Sequence, residues 1–376
     1  QRQETTWFWS PDGNSLVTCT QEIATRRGEF WRIRLDGGPP EILLADDRAF
    51  NAGPTSPISS AFGDVSADGN LIVYAAEDET QPPEFWAADA RFQQRRQVTH
   101  RNAHLAEAAL GRSRLVSWTS VGGRRIQGAL LLPADVQPGR PVPLVVGLYP
   151  GLNLSDGLHR WAGGMLWAVV HRQQLVSRGY AVLCADVPAP EPARPPEEAL
   201  AGIIMPGVQR LVEEGVADGE HLAAIGQSAG GRALLQLLTQ TPIFGAAVVC
   251  SAGGNLSSIF GQLRLNPDGS PDMYGIHNAE GWCGGPPWEQ PLRYIQESPI
   301  FALDRIRTPV LLICGTEDTA VGAEQVGEVF VGLRRLEKEV TLLRYHGEGH
   351  VPSAYGEANR RDVTDRVLAW LAAHLG

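Results

Sequence analysis

The sequence predicts an α/β chain: a mostly parallel sheet flanked by helices over residues 113–376, preceded over residues 1–112 by about two blades of an incomplete β-propeller. Three observations carry this. A β-rich pattern occurs twice before residue 112, apolar runs alternate with helical stretches after it, and a Gly-x-Ser-x-Gly motif sits where one such run meets a helix. At roughly 150 residues per domain, 376 residues allow two or three domains.

In the first part, TWFWSPDGNSLVTCT (Thr6–Thr20) is echoed by FGDVSADGNLIVYAA (Phe62–Ala76). Each continues into a further strand, EFWRIRLDGG (Glu29–Gly38) or EFWAADARFQ (Glu84–Gln93), and then a polar tail. Asp-Gly supplies the positive φ angles of a tight hairpin turn. A repeat of roughly 40–55 residues built of short strands is the pattern of propeller blades. Two blades do not close a ring, which typically takes four to eight, and they leave strand edges unpaired. The expectation is that further blades come from a separate N-terminal portion of the same precursor. The start at Gln1 agrees with removal of something upstream.

Beyond residue 112, Leu115–Thr119 and Arg125–Leu132 open the second part as strands, the latter stopped by Pro133. Short apolar runs at Pro143–Gly147, Ala181–Asp186, His221–Gly226, Ala246–Cys250, Val310–Gly315 and Val340–Tyr345 suit buried strands. Helices are expected over Trp161–Arg178, Glu197–Glu214, Ala229–Thr239, Ala323–Leu336 and Gly356–His374. Five prolines between Pro188 and Pro196 call for an exposed extended loop. Alternating strands and helices imply a parallel sheet covered on both faces.

Composition removes several function classes. Hydrophobic residues make up 43% and charged residues 20%, the balance of a globular chain. A net charge of −10, with Lys338 the only lysine and no basic block, argues against a nucleic-acid partner. No apolar run reaches the roughly 18 residues a membrane span needs, and Gln1–Ser10 has no targeting pattern. The cysteines Cys19, Cys184, Cys250, Cys283 and Cys314 show neither a paired framework nor metal-ligand spacing. They read as small buried hydrophobes, which leans towards a reducing compartment such as the cytoplasm. Chemistry without metal or cofactor is expected.

That chemistry centres on Gly226-Gln227-Ser228-Ala229-Gly230-Gly231, between the strand HLAAIG and the helix ALLQLLTQ. Small neighbours let the backbone turn sharply and lift the Ser228 hydroxyl above the sheet, as in an α/β-hydrolase. A tight structural turn is the alternative. In that fold an acid and a histidine follow the serine in order. VLLICGTEDTAV places Glu317 and Asp318 just beyond a buried strand; Asp318 is the choice and Glu317 the alternative. RYHGEGHVPS offers His346 at a strand end and His350 deeper in a glycine-rich loop, which spacing mildly favours. The Ala229 amide, following the nucleophile, is a natural oxyanion donor. Tyr149, in the loop Gly147–Asn153, either donates its hydroxyl there or packs.

With these residues in place, the chain resembles the prolyl oligopeptidase family of serine peptidases, especially its acylaminoacyl-peptidase and dipeptidyl-peptidase branches. The resemblance runs through PLVVGLYPG (Pro143–Gly151), LVSRGYAVLCADV (Leu175–Val187), GQSAGG, the stretch Gly284–Val321 and the tail Leu333–Ser353, in the family's order. It implies a propeller followed by an α/β-hydrolase, with Ser228 as nucleophile, Asp318 as acid, His350 as base and Tyr149 in the oxyanion hole. Gln227 and Ala229 depart from the family's usual neighbours of the serine, and 112 residues are too few for its propeller. The implied activity is cleavage of short peptides. An esterase or a peptide acyl transferase would use the same triad, and a non-catalytic scaffold subunit is the reading from another class. Phe260, Tyr274, Trp282 and Trp288 either line a substrate pocket or pack.

Overall fold

A computed structural model of the chain describes residues 7–10, 12–50, 63–137, 139–161, 169–189, 199–263, 268–270 and 273–376. Two compact units are present: Gln1–Leu115 with Ser155–Gly164, and Val116–Leu154 with Met165–Gly376.

The first unit contains two four-stranded antiparallel meanders, each a propeller blade. One comprises β1 (Trp7–Trp9), β2 (Ser15–Gln21), β3 (Gly28–Arg34) and β4 (Glu41–Asp46). The other comprises β5 (Gly63–Val65), β6 (Leu71–Ala76), β7 (Glu84–Asp89) and β8 (Arg95–Gln97). Alternate residues of β2 and β6 are buried, the period-2 pattern of a sheet with one covered face. Their inward side chains join an aromatic core in which Phe30 lies 4.5 Å from Phe92 and 5.0 Å from Phe50 between ring centres. At the turns, Ser10 and Ser66 hydroxyls bond Asp12 and Asp68 at 2.5 and 2.6 Å. Only the glycine of each Asp-Gly pair has positive φ, 67° at Gly13 and 70° at Gly69, so the aspartate serves as acceptor and the glycine makes the turn. Each polar tail proves to hold a fourth strand: β4 buries Leu44 alone, and β8 is three polar, largely exposed residues. Arg26 donates to Ser155 Oγ at 2.8 Å, and Glu77 accepts from Arg160 and the Trp161 amide, both at 3.1 Å.

The second unit is built on an eight-stranded sheet of β9 (Arg112–Thr119), β10 (Arg125–Leu132), β11 (Val142–Leu148), β12 (Ala181–Ala185), β13 (Ala217–Gln227), β14 (Ala246–Cys250), β15 (Val310–Gly315) and β16 (Val340–Tyr345). The strand order is β16-β15-β14-β13-β11-β12-β10-β9. β11 to β16 pair in parallel, and β10 joins β12 antiparallel. Every residue of β12, β14 and β15 is buried, as strands covered on both faces must be. The helices are α1 (Arg172–Val176), α2 (Leu200–Glu213), α3 (Ala229–Leu238), α4 (Leu256–Gly261), α5 (Tyr274–Cys283), α6 (Pro291–Gln296), α7 (Ala323–Arg335) and α8 (Glu357–Leu375). Leu234 and Leu237 of α3, and Val329 and Leu333 of α7, share one apolar core with Leu144, Leu222, Val249 and Leu312 of the sheet. This is the α/β-hydrolase fold, with the serine at the end of β13.

Two expectations change. The helix expected over Trp161–Arg178 is helical at Arg172–Val176, because His171 caps it there by accepting the Gln173 amide; residues 162–168 lie outside the described set. β13 begins at Ala217, four residues before the apolar run, since Val142 of β11 already pairs with Ala217. The proline-rich stretch lies largely outside the described residues, at 190–198.

Candidate active site

The sharp turn begins with the backbone. Ser228 has φ 56° and ψ −125°, a region that non-glycine residues enter only when the surroundings impose it. Its amide donates to Cys250 O at 2.9 Å, and its carbonyl accepts from Arg232 N–H at 3.0 Å, which starts α3. No side chain fits at Gly226 or Gly230: a Cβ would lie 2.4 Å from Gly230 O in the first case and 2.3 Å from Leu148 O in the second. These two glycines let α3 rise against the ends of β11 and β13 with the serine at its foot.

The acid and the histidine come from the next two strand ends. Asp318 follows β15, and its side chain is fully buried at 0% exposure. Its Oδ1 accepts from the Ala320 and Val321 amides at 2.8 and 2.7 Å, which leaves Oδ2 for His350 Nδ1 at 2.8 Å. An ionised carboxylate can only accept, so Nδ1 carries the proton. His350 Nε2 is then free to accept from Ser228 Oγ, 3.0 Å away. Gly315 makes room for the histidine loop, since a Cβ there would lie 2.1 Å from Glu348 O. The Glu317 amide donates to that same carbonyl at 2.9 Å, while the Glu317 side chain is exposed, as is His346. The structure therefore brings Ser228, Asp318 and His350 together and leaves Glu317 and His346 out.

Tyr149 sits at the end of β11 and is half-buried, its ring beside Gly230. With Leu148, Leu154, Val169, Ile225, Gly226 and Gln227 it lines a small cavity next to the turn. Ala229 is the first residue of α3, where amides point out of the helix start. Sequence reasoning noted Gln227 only as a departure beside the serine and gave Gly315 no role. Gln227 hydrogen-bonds the His350 carbonyl at 3.3 Å, and Gly315, three residues before Asp318, clears space for the loop.

The aromatic segment packs more than it lines. Trp282 lies under the Arg232 guanidinium at 4.0 Å, and Phe260 meets Trp288 edge-on at 5.5 Å, with Trp288 74% exposed. The side chain of Tyr274 lies outside the described residues. All five cysteines are buried free thiols. Burial pushes Cys314 up to about 11 and Cys250, beside the turn, well above the usual thiol range, so neither supplies a thiolate to compete with the serine. Among the described residues no cluster of three or more His, Cys, Asp or Glu is placed to hold a metal, and no helix is long and apolar enough to cross a membrane.

A serine on a strand–turn–helix elbow above a mostly parallel sheet, hydrogen-bonded to a histidine, defines a serine hydrolase of the α/β-hydrolase class. Residues 204–376 match the prolyl oligopeptidase family. The chain is 22% identical over 323 residues to the uncharacterized peptidase YuxL of Bacillus subtilis (strain 168), covering 83% of this chain and 46% of that protein. It is 30% identical over 175 residues to the acylamino-acid-releasing enzyme of Rattus norvegicus, covering 45% of this chain and 22% of that one. Among solved structures, the AtxE2 isopeptidase with Astexin3-dC4 bound superposes with TM-score 0.75 at 19% identity, over 99% of this chain and 55% of the other. The Pyrococcus horikoshii acylaminoacyl peptidase gives 0.67 at 16%, over 100% and 71%. These two likenesses are of fold. The chain thus spans less than half the length of both curated relatives.

Proposed function

We propose that residues 113–376 form the catalytic domain of a serine peptidase that cleaves short peptides through an acyl-enzyme on Ser228. The observation that carries this reading is the continuous hydrogen-bond chain from Ser228 Oγ through His350 to the buried Asp318, at 3.0 and 2.8 Å. As Oγ attacks the scissile carbonyl carbon, His350 Nε2 takes its proton, and Asp318 stabilises the imidazolium and holds its orientation. The Ala229 amide and the Tyr149 hydroxyl donate to the oxyanion. His350 then protonates the departing amine as the C–N bond breaks. Water, deprotonated by the same imidazole, releases the acyl group and restores Ser228.

The peptide substrate is supported by the relatives, two of which bear the names peptidase and acylamino-acid-releasing enzyme. A further part of the reading is that an N-terminal portion of the same precursor supplies the remaining blades, because two four-stranded blades do not close a ring.

The test is intact-mass analysis after a fluorophosphonate probe, on wild type and on Ser228→Ala. One adduct, absent from the variant, is expected. A folded wild-type chain that takes no adduct would favour the non-catalytic scaffold. Turnover of acyl esters with none of aminoacyl amides would make it an esterase, and ligated peptide products would make it an acyl transferase.

A further inference from the structure

Gln227 is the last residue of β13, 3% exposed, and directly precedes Ser228. It lines the cavity shared with Leu148, Tyr149, Leu154, Val169 and Ile225. A primary amide buried among such neighbours costs free energy that leucine or methionine would not. It has one hydrogen-bond partner: Nε2 donates to the main-chain carbonyl of His350 at 3.3 Å, and Oε1 is buried without a partner.

The rest of the histidine loop is tied elsewhere. Gly347 N–H donates to Thr316 Oγ1 and Glu317 N–H to Glu348 O, both at 2.9 Å, so these bonds register the loop against the end of β15. Among the described residues, the Gln227 bond alone joins the main chain of residue 350 to the strand that bears the nucleophile. Since residues 227 and 228 are adjacent, it sets the height of the imidazole over Ser228 Oγ. We propose that Gln227 is a positioning residue, which holds His350 at proton-transfer distance from Ser228 through the His350 carbonyl.

This inference rests on the reading of Ser228 as nucleophile, and its test separates the two. Misplacing a reacting group by about 1 Å costs up to ~10²-fold in rate. Gln227→Met keeps length and volume but removes the donor; kcat is expected to fall about 10-fold with KM within twofold, and phosphonylation of Ser228 to slow equally. Gln227→Glu is the second variant. Its carboxyl can donate to the His350 carbonyl only while protonated, and when ionised it repels that oxygen. The titratable groups around it are His350, Tyr149 and, opposite in the next strand, the buried neutral Cys250, with Asp318 beyond the imidazole. Its pH–kcat profile is expected to gain a descending limb on the alkaline side that wild type lacks, an effect a purely structural glutamine would not produce. A Met variant with wild-type kcat, or a Glu variant whose profile superimposes on wild type, overturns the proposal. Wild type is phosphonylated in parallel. No labelling there removes the nucleophile reading and this one with it, whereas equal labelling rates in wild type and Gln227→Met remove this one alone.

Discussion

Replacing Asp318 by asparagine reverses the hydrogen-bonding sense of one terminal atom and leaves the side chain's shape unchanged. The surroundings decide which atom. Oδ1 lies against two donors, the Ala320 and Val321 amides at 2.8 and 2.7 Å, so the asparagine oxygen must occupy that place. The NH₂ group then faces His350 Nδ1 across the 2.8 Å now spanned by Oδ2. Nδ1 becomes an acceptor, the proton moves to Nε2, and Nε2 presents a donor to Ser228 Oγ, 3.0 Å away. A base whose acceptor nitrogen points the wrong way cannot take the serine proton. The expected loss in kcat is about 10⁴-fold, roughly 5.4 kcal/mol of activation free energy, with KM nearly unchanged. Initial rates on an aminoacyl p-nitroanilide, with a thermal melt to establish folding, measure it. A folded variant that keeps a tenth of wild-type kcat would refute the tautomer argument and the assignment of Asp318 together.

Three further outcomes are expected. Tyr149→Phe removes the hydroxyl proposed to donate to the oxyanion and should lower kcat by about 10²-fold with little change in KM, read from the same rates. Gly230→Ala places a methyl 2.3 Å from Leu148 O, a backbone atom that cannot yield without parting α3 from β11; urea unfolding should show a loss of about 2 kcal/mol. Burial lowers His171 from 6.5 to about 4, so between those pH values the unfolded chain binds a proton the folded chain does not. Its contribution to stability is therefore present above pH 6.5 and lost as the pH falls towards 4. His171→Asn, which keeps a capping acceptor, should flatten that part of a denaturation-against-pH series.

Much of the fold is legible in the sequence because it follows from local patterning. Ala246–Cys250 and Val310–Gly315 are unbroken apolar runs, and a strand buried on both faces has no other choice of residues. Ala229–Leu238 has a helical apolar stripe, and Gly226 and Gly230 flank the serine because no larger residue fits there. β4 and β8 were not legible, since β8 is three polar residues and β4 buries Leu44 alone, so neither shows the alternation of a half-buried strand. The short extent of α1 was hidden in the same way: its start is set by the His171 cap, a hydrogen bond rather than a periodicity.

By itself, then, the sequence determined the class of fold, the serine and the two loops from which its partners come, because turn sterics and strand ends are properties of neighbouring residues. The family resemblance implied Asp318 and His350; the tertiary structure places these two, and not Glu317 or His346, within hydrogen-bond reach of one another and of Ser228. Those bonds span 32 and 122 positions and arise when β13, β14, β15 and β16 are laid in one sheet. The grouping of Ser155–Gly164 with the first unit is of the same kind. So is the partner of Gln227, 123 positions away. A side chain's use is set by what the fold puts opposite it, and adjacency in the chain holds no information about that.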